Sequence, residues 1–214
     1  GAAANAMATI HAVEAVPALQ LQRRLQLLSF ENDLDSLRLA LRHTQWFKHL
    51  RHAAPNQLLT YNQWLSASGS IEWRLLPGDF SQRQHHAPAP DIVFFDPFSY
   101  KADSTLWTLA AFRELAQLCQ HRATELFTYS YSTRVRAALL AAGFFVAKGR
   151  ATGPKAETTI ALSPLAMALP HGRELLGAEW LSRWQRSDAQ TPMGAADTDE
   201  TWRDAVTGHP QFRG

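Results

Sequence analysis

Residues 91–107 read DIVFFDPFSYKADSTLW, and the fold turns on how this stretch is parsed. Ile92, Val93, Phe94 and Phe95 form a short unbroken run of apolar β-formers, which predicts a strand buried on both faces, as in a parallel sheet. The run stops at Asp96-Pro97. Pro97 lacks a backbone N–H and fixes its own φ, so the chain must leave the sheet there and the Asp96 carboxylate arrives at the strand's C-terminal end. That edge is where open α/β sheets bind ligands. Phe98, Tyr100 and Trp107 follow too closely to be a second strand and read as pocket wall; Asp96 itself is compatible with a ligand-facing carboxylate or with a plain helix cap.

Upstream, residues 25–30 give a short strand that ends in Glu31 and is followed by a helix over 34–42. One carboxylate at a strand end suits the two adjacent hydroxyl donors of a bound ribose, which selects Glu31; Asp33 and Asp35 read as caps of the following helix. Residues 71–76 alternate as a strand and close on Pro77-Gly78-Asp79-Phe80. Asp79 there suits acceptance from an adenine amino group with Phe80 packed on the base, or an ordinary turn aspartate. Between these strands, Trp46, Phe47 and Leu50 fit one helical face, with His43, Lys48, His49, Arg51 and His52 mostly elsewhere, as a solvated face or a phosphate-contacting patch. His85 and His86 are expected on the surface.

The first six residues, GAAANA, run into a helical pattern through Val16. Either Gly1 is the last glycine of a nucleotide-binding loop, with Asn5 and the helix N-terminus facing the cofactor, or vector residues precede Met7. On the first alternative the sheet's first strand is missing from this chain.

Downstream, residues 108–120 carry an amphipathic helical stripe, 125–132 a strand, 133–142 a helix closed by Gly143, and 144–148 and 158–162 two further strands. Repeated β-α alternation with short connections predicts a Rossmann-like α/β fold, a doubly wound and mostly parallel sheet with helices on both faces. The loop over 149–157 contributes Arg150, Lys155 and Glu157, and with Arg134 and Arg136 it is the best candidate for contacting phosphates. Beyond Ser163 the pattern weakens, which divides the chain into a domain over 1–163 and a helical or irregular extension over 164–214.

Composition narrows the class. The 214 residues are 46% hydrophobic, enough for one sizeable core, and the net charge of +2 is compatible with nucleic acid without arguing for it. Lone Cys119 excludes an intrachain disulfide, no Cys/His spacing suggests a metal site, and no stretch is apolar enough to span a membrane or resembles a signal peptide. A cytoplasmic protein without a metal is expected.

The Asp-Pro-aromatic turn resembles the (Asp/Asn)-Pro-Pro-(Tyr/Phe) motif of amino-methyltransferases that use S-adenosyl-L-methionine. Taken with GPKAETTIA at 153–161, LLSFENDLDSLRLAL at 27–41 and the tail LLGAEWLSRWQRSD with HPQF, the chain is similar over nearly its whole length to the methyltransferase domain of MnmC-type tRNA-modifying enzymes, especially forms without the oxidase domain. The resemblance implies a class I domain that transfers a methyl group from S-adenosyl-L-methionine to the amine of 5-aminomethyl-2-thiouridine at the tRNA wobble position. It implies Asp96 and Pro97 beside the methyl group and the incoming amine, Glu31 on the ribose, and Asp79 and Phe80 around the adenine. Lys101, Trp107, Lys155 and Glu157 match the family pattern and fall, with Phe98, Tyr100 and Arg134, on the substrate side. Expected partners are tRNA and an FAD-dependent oxidase or the enzymes that make the aminomethyl precursor. Tyr100 stands where relatives often have Pro, and Asp103-Ser104 where they have Asn-Pro. Two other classes share parts of the pattern: another nucleotide-cofactor α/β enzyme, such as a nicotinamide-dependent oxidoreductase, and a non-catalytic RNA-binding module on a degenerate methyltransferase scaffold.

Overall fold

The computed structural model describes residues 2–17, 23–97, 104–151, 157–196 and 200–213. The chain forms two compact units, Gly1–Arg83 and Gln84–Gly214.

The first unit contains α1 (Ala4–Glu14), β1 (Leu25–Glu31), α2 (Asp35–Arg42), α3 (Ala53–Tyr61), β2 (Gln63–Leu65), β3 (Ile71–Pro77) and the single turn α4 (Phe80–Arg83). Its sheet has the order β1-β3-β2, with β1 parallel to β3 and in register from Leu25 opposite Ile71 to Glu31 opposite Pro77. The alternation expected for β3 is what forms the core. Ile71, Trp73 and Leu75 are buried on one face, against Met7 and Ile10 of α1, Leu37 and Ala40 of α2, and Ala54 and Leu58 of α3. The Trp73 indole N–H donates to Ser29 Oγ across the parallel pair at 2.9 Å, so its one polar atom is satisfied inside the sheet.

The helical face expected from Trp46, Phe47 and Leu50 does not form. Lys48–Leu50 is one 3-10 turn, Leu50 alone is buried, and Trp46 is 81% exposed. The cause is local. His52 caps α3 by accepting the Ala54 N–H on its side chain, and Pro55 fits the first turn because its missing N–H has no partner to lose there. Sequence reading also missed β2, which runs antiparallel to β3 through a turn at Ser66–Ser70 where Gly69 takes φ +68°.

The second unit contains β4 (Ile92–Phe94), α5 (Leu109–Cys119), β5 (Glu125–Thr128), α6 (Thr133–Ala141), β6 (Phe145–Gly149), β7 (Thr158–Leu162), α7 (Pro164–Met167), α8 (Ala178–Gln185) and α9 (Thr201–Thr207). Its sheet has the order β4-β5-β7-β6; β4 and β5 are parallel, and β7 is antiparallel to both of its neighbours. Gly143 leaves α6 at φ +97°, as a C-terminal glycine should. The Rossmann-like α/β class holds: the pairs β1/β3 and β4/β5 are parallel and joined through helices, as crossovers require.

Strand β4 is not buried on both faces. Ile92 and Phe94 are 56% and 49% exposed, whereas Phe95 beyond them is buried. Among the described residues β4 pairs with β5 alone, so it is an edge strand with one covered face, and an apolar run by itself does not distinguish that from a central strand.

The C-terminal segment docks on β6. Backbone bonds from Lys148 N–H to Glu174 O at 2.9 Å and from Leu176 N–H to Val146 O at 2.9 Å line its outer edge. The Gln211 side chain accepts from Val146 N–H at 2.7 Å and donates to Val146 O at 3.0 Å and Leu176 O at 2.8 Å. Trp180 and Trp184 of α8 and Trp202 of α9 are buried in the same unit. Among the described residues no helix is long and apolar enough to cross a membrane.

Candidate functional site

In the first unit, the C-terminal ends of β1 and β3 bring Glu31, Asp79 and Phe80 together. Glu31 and Pro77 are register partners, and Gly78 N–H donates to Glu31 O at 3.1 Å, so the turn after β3 is tied directly to the end of β1. The Phe80 ring meets Phe30 edge-on at 5.0 Å. Asp79 Oδ1 accepts both Ser81 N–H at 2.8 Å and Ser81 Oγ–H at 2.7 Å. That oxygen is engaged in holding the start of α4, as a turn aspartate would be. Asn5 is exposed in the first turn of α1, whose N-cap Ala3 adopts a left-handed φ of +56° without a side-chain cap.

In the second unit, Phe95 N–H donates to Phe127 O at 2.8 Å, which continues the β4/β5 ladder one residue past β4. Pro97 cannot extend it, and Asp96 lies exposed at the edge, as the punctuation predicts. Tyr129, one residue beyond β5, donates its hydroxyl to Pro97 O at 3.1 Å. Burial, and next the Asp96 carboxylate, push the Tyr129 phenol above its usual range. In the sequence Tyr129 is only one residue of the strand expected over 125–132 and carries no motif of its own.

Trp107 is not an exposed wall. Its side chain is fully buried, edge-on to Phe95 at 5.3 Å and to Tyr129 at 5.8 Å and near Phe112 at 6.5 Å, so it supports the turn from beneath. Glu157 and Arg136 likewise form a structural tie. The Arg136 guanidinium is buried and donates to Thr159 Oγ1, Glu157 Oε1 and Thr158 O, each at 3.0 Å. Buried, and with three of its five N–H groups given to acceptors of the β7 region, Arg136 is placed as a structural tie and not as a surface contact for a phosphate. Arg134, two residues earlier, is exposed. Gly1, Phe98, Tyr100, Lys101 and Lys155 lie outside the described residues.

An open cleft of about 460 Å³ lies beside Arg134, lined also by Ser104, Thr108, Asp188, Thr191 and the turn over 192–195. Leu109 N–H donates to Met193 O at 2.8 Å, which fixes that turn against the start of α5. Gly194, at φ +71°, approaches so closely that a Cβ there would lie 2.8 Å from Thr108 Cγ2. The 188–195 wall had no signature in the sequence.

Residues 42–164 match the family model described as S-adenosyl-L-methionine-dependent methyltransferase. The chain is 31% identical over 149 residues to the tRNA 5-methylaminomethyl-2-thiouridine biosynthesis bifunctional protein MnmC of Ralstonia nicotianae, an alignment covering 66% of this chain and 22% of that protein. It is 35% identical over 98 residues to the protein of the same name from Aeromonas hydrophila, covering 44% of this chain and 15% of that one. The chain thus spans about a fifth or less of these relatives' lengths. The crystal structure of MNMC2 from Aquifex aeolicus superposes with a TM-score of 0.55 at 20% identity, covering 87% of this chain and 67% of that one, a likeness of fold. The resemblance to MnmC-type domains expected from the motifs is thereby borne out.

Proposed function

This chain belongs to the S-adenosyl-L-methionine-dependent methyltransferase family, and on that premise we propose that it methylates the amine of an aminomethyl group on the wobble uridine of a tRNA. The observation that carries the reading is the exposed carboxylate of Asp96 at the C-terminal end of β4, where Pro97 ends the strand and Tyr129 fixes the turn. The two MnmC relatives, by name, serve the biosynthesis of a methylaminomethyl uridine in tRNA, which supports the substrate class.

The residues suit the donor. Among the described residues the Glu31 carboxylate accepts no hydrogen bond, and it ends the strand whose Phe30 packs on Phe80, a placement that suits a ribose diol and an adenine face. Asp79 has one oxygen engaged in capping and offers the other to the adenine amino group. The resemblance also assigns Gly1, Asn5 and Pro97 to the cofactor; of these, Asn5 lies exposed in the first turn of α1. When bound, S-adenosyl-L-methionine supplies an electrophilic methyl group on a sulfonium sulfur.

Asp96 accepts one N–H of the incoming amine and aims the nitrogen lone pair along the line of displacement; the Pro97 carbonyl, with one lone pair taken by Tyr129, has a second for the other N–H. As the N–C bond forms, the bond from that methyl carbon to sulfur would break, with the electron pair leaving on S-adenosylhomocysteine; the nitrogen becomes a secondary ammonium, and its proton leaves through Asp96 to solvent. Phe98 and Tyr100 are assigned to excluding water around the nucleophile and Lys101 and Lys155 to the RNA backbone, while Trp107 packs on Tyr129 and Glu157 ties β7 to Arg136. An FAD-dependent oxidase, or the enzymes that build the aminomethyl precursor, supplies the amine.

Transfer of tritiated methyl from S-adenosyl-L-methionine to bulk tRNA tests the reading. Asp96→Ala should lower turnover by about 100-fold or more, with cofactor affinity by calorimetry changed little. Equal loss of both would leave Asp96 a structural cap, and no transfer by the wild-type chain would remove the enzymatic reading.

A further inference from the structure

The cleft between the start of α6 and the 188–195 segment has no part in the methyl-transfer chemistry above. Arg134 and Asp188 line it from opposite sides of the sequence, and among the described residues neither forms an ion pair or hydrogen bond. Opposite charges held around one cavity without pairing leave both available to a third party. The volume of about 460 Å³ falls within the range of sites that hold small ligands. The hydroxyl of Thr108 on its wall is already engaged, accepting from Ala111 N–H at 3.2 Å and donating to Thr105 O at 3.2 Å, and the two charged groups are the strongest recognition elements of the lining.

The position connects the cleft to the proposed site. Thr108 directly follows Trp107, which packs on Tyr129, and the Tyr129 hydroxyl holds Pro97 O beside Asp96. Arg134 follows the same β5 end after the 129–132 bend. Asp96 and the cleft therefore belong to the same unit and are joined through Trp107 and Tyr129.

We propose that the cleft binds the phosphate and ribose of a nucleotide flanking the one that is methylated, with Arg134 on the phosphate and Asp188 on the ribose 2′-hydroxyl. A guanidinium matches two phosphate oxygens at once, and a carboxylate opposite it disfavours a bare anion while accepting a hydroxyl donor. The pair therefore selects a ribonucleotide over both a free phosphate and a deoxynucleotide, since the 2′-hydroxyl distinguishes RNA from DNA. This inference rests on the reading that the substrate is RNA.

The test uses the full chain and a fluorescein-labelled RNA hairpin, with anisotropy over a salt series. Arg134→Gln should weaken binding about tenfold and reduce the slope of log affinity against log salt by about 0.7, the share of one phosphate in a single strand; Arg134→Lys should restore the slope but only part of the affinity. Asp188→Asn should erode the preference for the RNA hairpin over the deoxy hairpin of the same sequence. In methyl transfer to bulk tRNA, Arg134→Gln should raise KM more than it lowers kcat. An unchanged slope, or a fall in cofactor affinity that tracks the loss of RNA binding, overturns the proposal. If the wild type transfers no methyl yet its RNA binding depends on Arg134, the methylation reading fails and the cleft stands; if it transfers methyl and Arg134→Gln is silent, the cleft alone fails.

Discussion

Replacing Arg136 by Met should destabilise the second unit without touching RNA binding, the reverse of the outcome for Arg134. The Arg136 side chain is 4% exposed and its guanidinium has three acceptors at 3.0 Å: a threonine hydroxyl, a backbone carbonyl and the Glu157 carboxylate. Hydrogen bonds to a charged group contribute about 1.5–3 kcal/mol each. They do not sum, because removing the guanidinium also relieves its desolvation, and methionine refills much of the space. Glu157 is 32% exposed, so water recovers its orphaned oxygens in part. The net loss should be about 2–4 kcal/mol, most of it from the buried Thr159 hydroxyl left without its charged partner and from weakened anchoring of β7 to α6. Glu157→Gln keeps an acceptor and removes the charge, and should cost about 1 kcal/mol. Denaturant unfolding of both variants and the double variant gives the coupling, and RNA anisotropy on the same preparations gives the control. Midpoints within about 0.5 kcal/mol of wild type for Arg136→Met, or a reduced salt slope in RNA binding, would refute the tie and return Arg136 to the phosphate side.

Two further outcomes follow from packing. His209 is buried, and burial, then the Arg213 charge, lowers its imidazole from 6.5 to about 4. The unfolded chain takes up the proton first, so stability falls as pH drops from 6.5 towards 4 and levels below that, by about 3 kcal/mol at most. His209→Asn, which keeps an acceptor for Gln211 N–H, should flatten that part of the stability profile measured by urea unfolding; an identical pH dependence would place the titration elsewhere. Trp107→Ala should cost about 3–5 kcal/mol by opening a cavity between Phe95, Phe112 and Tyr129. A variant that unfolds like wild type in a thermal melt but shows a raised KM for tRNA would reinstate Trp107 as a surface contact.

What the sequence disclosed and what it concealed divide by range. The Asp96-Pro97 stop and the Gly143 helix end were readable because each depends on a residue's own backbone constraint, and the structure puts each at the end of the element it punctuates. The edge position of β4 was not, because whether a strand has one neighbour or two is decided by distant parts of the chain. Trp107 was misplaced for a related reason: an aromatic after a turn looks the same whether it faces solvent or, as here, closes over Phe112 of the next helix.

The two arginines of α6 show a signal that was present and unused. Val135 through Ala141 are all buried, and Arg136 is the one charged residue among them. A helix segment that is apolar nearly all round must lie inside the fold, and a guanidinium within it must therefore find acceptors there. Arg134 stands one step ahead of that buried stretch, on the turn where the helix emerges, and it retains its charge for solvent or ligand. The same reasoning says why the 188–195 wall stayed hidden. Its contribution rests on a backbone bond from Leu109 to Met193 and on the absence of a side chain at Gly194, neither of which has a recurring pattern along the chain. A cleft assembled from one readable arginine and one unreadable backbone turn is thus only half predictable in principle, and the half that is missing sets its shape.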